Sequence, residues 1–280
     1  MSSENSKLLR CVLVLSSVGS INAATLRPQT IQAWQRYIQT VNRRMAKRLE
    51  PSGQFLWTDG DPERRRKVRN GAILAVPAHR HNPVSVPNGL IHDWIGAVFL
   101  PHASLQDVLS VIEDYSRYKT VYSPQVVAST PLGHMGNEIL FSMILVNRSL
   151  FAESALAVNG RQYAFKIGDR QWYAISYSTR VREVRQFESE SEHYLPVGQG
   201  KGYVWRLFGI SRVEERDGGV YIELEAVALS RSIPVSVRWI VNPIVRRVAR
   251  SAIVTSLEQT KRAVLRTGRA KSPNVLADLR

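Results

Sequence analysis

The sequence predicts an α+β chain in which a curved antiparallel β-sheet is wrapped around a long C-terminal helix, with an extra N-terminal helix ahead of the sheet. Three observations carry this expectation. Six strand-like segments follow one another between positions 125 and 230 with no helical pattern among them, so their pairing is expected to be antiparallel. A long helical period comes after them. A strand followed by a short helix comes before them.

Residues 30–49 place Ile31, Trp34, Ile38, Val41 and Met45 at near-helical spacing with basic residues between them, which makes one amphipathic helix. Pro51-Ser-Gly53 stops it, and the basic run Arg64-Arg65-Arg66-Lys67 leads into a strand at 72–76 that ends at Pro77. Residues 77–87 hold several prolines and read as a loop. Residues 91–100 read as a strand closed by Pro101, after which Ser104 caps a helix with Leu105, Val108, Leu109, Ile112 and Tyr115 on one face. The strand series follows at 125–132, 138–146, 151–166 with a bend at Asn159-Gly160, 171–184, 203–214 and 220–230.

The last two strands fix their own register. Asp217-Gly218 is a tight-hairpin signal, and with those two residues as the loop Val213 faces Ile222, Arg212 faces Glu223 and Ser211 faces Leu224. Tyr203, Trp205, Leu207 and Val213 then share an apolar side, whereas Arg206 and Arg212, with Glu223 and Glu225, form an expected external ion-pair ladder. The final helix is expected to start at Asn242 as N-cap and Pro243 as first residue, and to run through Val245, Val248, Ala252, Leu257 and Val264 to a stop at Gly268.

Composition bounds the function. Of 280 residues, 44% are hydrophobic and 22% charged, which excludes a disordered chain and a polytopic membrane protein. Lys and Arg exceed Asp and Glu by 15, so anionic partners fit the charge. Lys7 and Arg10, the apolar stretch from Cys11 to Val18, and Ile21-Asn22-Ala23 have the order of a secretory signal peptide over 1–23, which gives an expectation of export to a periplasmic or extracellular site. Cys11 is the only cysteine, so the exported form would hold neither a thiol nor a disulfide. The expected organisation is therefore a signal at 1–23, an N-terminal helical extension at 24–71, a main domain at 72–267 and a flexible tail at 268–280.

Several segments carry a resemblance. Gly89-Leu-Ile-His-Asp-Trp-Ile-Gly-Ala-Val-Phe-Leu-Pro101, Asp114-Tyr115, Tyr177-Ser-Thr-Arg180, Trp205-Arg-Leu207, the run from Glu214 to Tyr221 and Leu229-Ser-Arg-Ser-Ile-Pro234 are similar to segments of exported bacterial proteins in the START-like helix-grip superfamily (SRPBCC), which holds lipid-transfer domains, polyketide cyclases and ubiquinone-binding proteins. The likeness runs from about residue 72 to about 265 and implies a hydrophobic pocket between the long helix and the sheet. It implies no particular reaction, because this fold carries both binders and enzymes.

Short motifs add little chemistry. Ser116-Arg-Tyr-Lys119 has the spacing of a serine activated by lysine, but the serine closes a helix where that chemistry needs it to open one. His92 and Asp93 are neighbours in a strand and point to opposite faces, and His79 and His81 have no third ligand nearby, so no metal site is expected. Gly198-Gln-Gly200-Lys-Gly202 lacks the hydroxyl residue of a phosphate loop, and Glu188, Glu190 and Glu192 read as solvated charge.

Two function classes follow. The first is an exported carrier of a hydrophobic small molecule or lipid, needing no cofactor, with Trp94, Tyr115, Phe141, Tyr173, Tyr177, Trp205, Leu207 and Trp239 as the cavity wall. Its basic runs suit an anionic membrane surface, and no nucleic-acid motif accompanies them. The second is a cyclase or hydratase in the same pocket, with His92 or Asp93 as acid or base and Tyr115 or Tyr118 as donor.

Overall fold

The computed structural model describes residues 26–149, 152–234, 236 and 238–271; the side chains at 149, 152, 153, 238–242 and 268–271 are not described. Residues 1–23, read as a signal peptide, and residues 272–280, the end of the segment read as a tail, lie outside the described residues. The chain runs α1 (Pro28–Arg48), a 3-10 turn (Trp57–Gly60), α2 (Pro62–Arg69), β1 (Leu74–Pro77), β2 (Val84–Val86), β3 (Gly89–Pro101), α3 (Leu105–Ile112), a 3-10 turn (Tyr115–Arg117) and a single helical turn α4 (Tyr118–Val121). It continues through β4 (Val126–Met135), β5 (Glu138–Ser149), β6 (Ala152–Ile167), β7 (Gln171–Arg185), β8 (His193–Tyr194), β9 (Arg206–Arg216), β10 (Gly219–Arg231) and α5 (Arg238–Lys271).

Every strand pair is antiparallel, in one sheet of order β1-β3-β10-β9-β7-β6-β5-β4, with β2 added to β3 and β8 to β7. The first long strand thus lies beside the last, and a bulge at Asn159-Gly160 stands where a bend is expected. The Asp217-Gly218 hairpin holds the register read from the sequence: Val213 opposite Ile222, Arg212 opposite Glu223, Ser211 opposite Leu224. Both loop residues have the positive φ that such a turn demands, 57° and 78°.

Helices cover the central strands on both faces, so β3 is buried along nearly its whole length. On one face α5 lays Ile253, Leu257 and Val264 into a core with Val98, Leu100, Trp172, Val213 and Ile222. Gly96 sets their approach, since a Cβ there would collide with Ile253 and Leu257. On the other face α1 and the segment after it bury Trp34, Val41, Met45, Phe55, Leu56 and Val68 against Ile91, Phe99, Phe208, Ile210, Tyr221 and Leu229.

That second layer overturns the external ladder. Arg212 is 1% exposed and Glu223 0%, both beneath the N-terminal extension. Arg212 donates from Nε to Glu223 Oε2 (3.1 Å) and from Nη2 to Glu225 Oε2 (3.2 Å). Glu223 also accepts from the backbone N–H groups of Trp57 (2.7 Å) and Thr58 (2.8 Å) and from the Thr58 hydroxyl (3.0 Å). Arg44 of α1 reaches down to Glu225 (2.7 Å) and Asp93 (3.1 Å), and the Tyr37 hydroxyl donates to Asp93 (2.8 Å). The alternation of charge along β9 and β10 looks like a solvated face until a cover from far earlier in the chain is placed on it. Arg206 takes no part in this set: it donates to the Trp205 carbonyl.

Other elements differ from expectation for identifiable reasons. The basic run at 64–67 lies in α2, whose start is marked by Asp61, which accepts from the N–H groups of Glu63 and Arg64, and by Pro62. Helix α5 begins at Arg238, so Pro243 falls in its second turn, where it removes a single helical hydrogen bond. It also passes through Gly268 to Lys271, at a glycine cost of about 1 kcal/mol that a long packed helix absorbs, so the first four residues of the segment assigned to the tail are helical. The loop at 77–87 contains β2. Strand β9 starts only at Arg206, because the preceding glycine loop is folded around Glu183: that carboxylate accepts from the N–H groups of Lys201 (2.8 Å) and Gly202 (2.7 Å). Gly200, at φ 111°, has no room for a Cβ beside the same carboxylate. The loop cradles an anion, and the anion is the protein's own.

The buried charges yield a test. Glu223→Gln removes one charge from a dry ionic set and is expected to cost about 3–5 kcal/mol in denaturant unfolding. A loss below about 1 kcal/mol would mean that these charges are solvated.

Candidate functional site

Between α5 and the far half of the sheet the structure holds a cavity of about 680 Å³, within the range of sites for small organic molecules. Its existence follows from how α5 is built. One stripe, Ile253, Leu257, Thr260 and Val264, is buried, the first two against β3 at Gly96. The neighbouring stripe, Val248, Ala252, Thr255 and Gln259, lines the cavity. Small and polar residues on that stripe leave space that leucines would fill.

The wall opposite is built by α3, α4 and strands β5, β6, β7, β9 and β10. Asp114 accepts from the Ser116 N–H (3.1 Å) and starts the turn that carries Tyr115, while Ser129 of β4 donates to the Tyr115 carbonyl (2.7 Å). The Tyr115 ring stacks between Phe141 (centroids 4.5 Å) and Tyr118 (4.4 Å), and Tyr122 meets Tyr118 edge-on (4.7 Å). Phe141 lies over Gly160, directly opposite it on β6, where any Cβ would strike the ring. Burial holds the hydroxyls of Tyr115, Tyr118 and Tyr122 above the ordinary tyrosine range, so all three stay protonated donors. Tyr122 shares a hydrogen bond with Thr260 of α5 (3.0 Å), and Gln259 donates to the Ser123 carbonyl (2.7 Å), which ties the helix to this wall. On β7, Trp172 faces the cavity and donates its indole N–H to Glu113 (3.1 Å), whose carboxyl is raised by burial.

A polar stripe crosses this floor. Tyr115 donates to Gln162 Oε1 (3.0 Å). Gln162 is paired with Ser176 of β7, and Ser211 of β9 lies beyond it on the cavity side. Arg247 and Arg148 stand at the rim, both exposed, with Arg148 paired to Glu188 (2.8 Å).

The nominated wall residues divide. Tyr115 and Phe141 line the cavity. Trp94 lies on the α5 side but in the solid core, and Leu207 packs beside the cavity with Leu156, Val158 and Val181. Trp205 and Tyr173 are on the opposite face, Trp205 in the core under the N-terminal extension and Tyr173 against its edge. Tyr177 is exposed and stacked on Tyr163. The side chain of Trp239 lies outside the described residues. The error in β7 is one of parity: Tyr173 stands opposite Arg212 and therefore shares its face, which puts Trp172 and Ser176 in the cavity. In β9 the strand alternation does not extend back to Trp205. Gln162, Trp172, Tyr122 and Ser211 escaped sequence reasoning; for Trp172 and Ser211 the signal was the pairing of β7 with β9, and for Gln162 the pairing of β6 with β7, which no local pattern announces.

The acid–base pair of the cyclase reading does not reach the cavity. His92 is buried at the far end of β3 beside Ser230 (3.0 Å), and burial lowers its pKa to about 4, so it is neutral near pH 7. Asp93 faces the other way, into the network with Arg44 and Tyr37, where burial and Glu225 raise its pKa. His79 joins that network through Arg44 and stacks edge-on to Tyr37. Among the described residues no three His, Cys, Asp or Glu side chains converge as a metal site, and no helix is long and apolar enough to cross a membrane.

No family model matches the chain, and no curated protein matches it. Among solved structures it is similar to a STAR-related lipid transfer protein from Xanthomonas axonopodis (19% identity, 68% of this chain and 98% of that one, TM-score 0.44). It is also similar to human STARD10 (11% identity, 80% and 86%, TM-score 0.44) and to the Zhui aromatase/cyclase from Streptomyces (14% identity, 65% and 98%, TM-score 0.42). Superpositions this loose carry no functional argument, and it is the chain's own topology that places it. An antiparallel sheet with its first and last long strands adjacent, and a long C-terminal helix laid across one face over a cavity, is the α+β, START-like helix-grip fold.

Proposed function

We propose that the protein is a carrier of a hydrophobic small molecule or lipid, held in the cavity between α5 and the sheet. The observation that supports this reading most is the cavity itself: about 680 Å³, walled by Phe141, Trp172, Leu156, Ile222 and Leu224, in a domain whose other central strands are solidly packed. The acid–base pair of the cyclase reading does not support catalysis in the same space, because His92 and Asp93 lie elsewhere, and the Glu223 carboxylate is spent on Trp57, Thr58 and Arg212 on the opposite face. The order of residues 7–23 supports export, so the carrier would act outside the cytoplasm.

Fluorescence displacement tests the reading. A long-chain fluorescent probe should bind the wild type, and Ser211→Phe, which fills the floor between Ala174 and Leu224, should abolish uptake without lowering the melting temperature. Trp205→Ala should do the reverse, costing about 3–5 kcal/mol of stability while uptake persists in the folded fraction. Uptake by Ser211→Phe equal to that of the wild type would refute the cavity as the site.

The partner surface is proposed to be an anionic membrane. Arg246, Arg247 and Arg250 are exposed on α5, Arg247 at the cavity rim, and Arg246 with Arg80 and His81 frames a cleft of about 220 Å³ that has no carboxylate among its described lining residues. Co-sedimentation should rise with the anionic fraction of vesicles and fall with salt as the screening length shrinks to about 3 Å at 1 M. Equal binding to neutral vesicles would contradict it.

A further inference from the structure

We infer that the cavity selects a neutral ligand bearing a carbonyl-type oxygen, a ketone, quinone or ester, whose oxygen accepts from Gln162 Nε2. The inference rests on the carrier reading and adds the chemical class of the ligand. Gln162 is 6% exposed and lines the cavity. Its Oε1 accepts from the Tyr115 hydroxyl, and its Nε2 is buried with no partner. An amide N–H without an acceptor in a dry site carries an uncompensated desolvation penalty, and an oxygen delivered by the ligand removes it. Tyr115 is itself fixed between Phe141 and Tyr118, so the amide is oriented before any ligand arrives.

The charge of the ligand follows from what surrounds that amide. The directly paired residue on β7 is Ser176, and the neighbouring rings are Tyr115 and Phe141. The cations of the wall, Arg148 and Arg247, are exposed at the rim. A carboxylate beside Gln162 would be buried without a counter-charge, at a cost that one amide hydrogen bond does not repay. A neutral carbonyl oxygen needs one donor and finds one.

The test compares a seventeen-carbon ketone with a mid-chain carbonyl, the alkane of the same length and palmitate, each competing with the fluorescent probe for wild type, Gln162→Leu and Gln162→Met. The wild type should prefer the ketone to the alkane by about tenfold, the ratio that one buried neutral hydrogen bond supports. In both variants the ratio should fall to within about twofold, with alkane affinity kept or raised, because the unpartnered amide is gone. Equal binding of ketone and alkane by the wild type, a ketone preference that survives in the variants, or a palmitate affinity above the ketone's that depends on Gln162 would each overturn the inference while leaving the carrier standing. Displacement by none of the three would overturn the carrier reading, and this inference with it.

Discussion

The rest of the structure depends on how the charges on the non-cavity face of the sheet are neutralised. Glu223, Glu225 and Asp93 are carboxylates on adjacent strands, and buried charge of one sign is intolerable without cations and donors around it. Arg212 supplies one cation from within the sheet, Arg44 supplies another from α1, and the turn at Trp57–Thr58 supplies two backbone N–H groups. The sheet therefore recruits the N-terminal extension by chemistry as well as by area. Once α1 is docked, the strands β3, β10 and β9 are clamped on one face and have a single face left for α5.

On that remaining face the cavity is a consequence of uneven contact. Gly96 lets α5 descend onto β3, and Ile253 and Leu257 fill the approach completely. Farther across the sheet the wall rises through the stacked rings of Phe141, Tyr115, Tyr118 and Tyr122, and the helix meets these rings and the turn after them by a hydrogen bond between Tyr122 and Thr260 and one donated by Gln259. A helix touching the sheet at one place and a wall at another bridges the space between them. The same geometry sorts the polar groups: those with partners within the wall are structural, and the Gln162 amide, bonded only through its oxygen, lies in the cavity wall with its nitrogen buried and unpartnered.

Much of this fold was legible in the sequence, and the exceptions share a cause. Local signals read correctly: the Ser104 cap, the Asp217-Gly218 hairpin and its register, and the uninterrupted strand series. Signals that depend on a distant partner did not. Arg212, Glu223 and Glu225 alternate as a solvated face would, and only α1 reveals them as buried. Strand β7 has large side chains on both faces, Trp172 on one and Tyr173 with Tyr177 on the other, so parity could be assigned only through its pairing with β9. Trp205 precedes its strand because Glu183 organises the loop before it. Of the residues nominated by strand parity and helix face, Tyr115 and Phe141 line the cavity, while the polar floor of Gln162, Ser176 and Ser211 looks like ordinary outward alternation.

The central claim is that the space between α5 and the sheet is a ligand site in the native protein. Mass spectrometry of an organic extract from protein purified from its native source, beside the Ser211→Phe protein prepared identically, tests it most directly. The account predicts one neutral, oxygen-bearing apolar compound at close to one molecule per chain in the wild type and its loss from the variant. The same background of trace lipids in both, with no compound near stoichiometric amount, would contradict it.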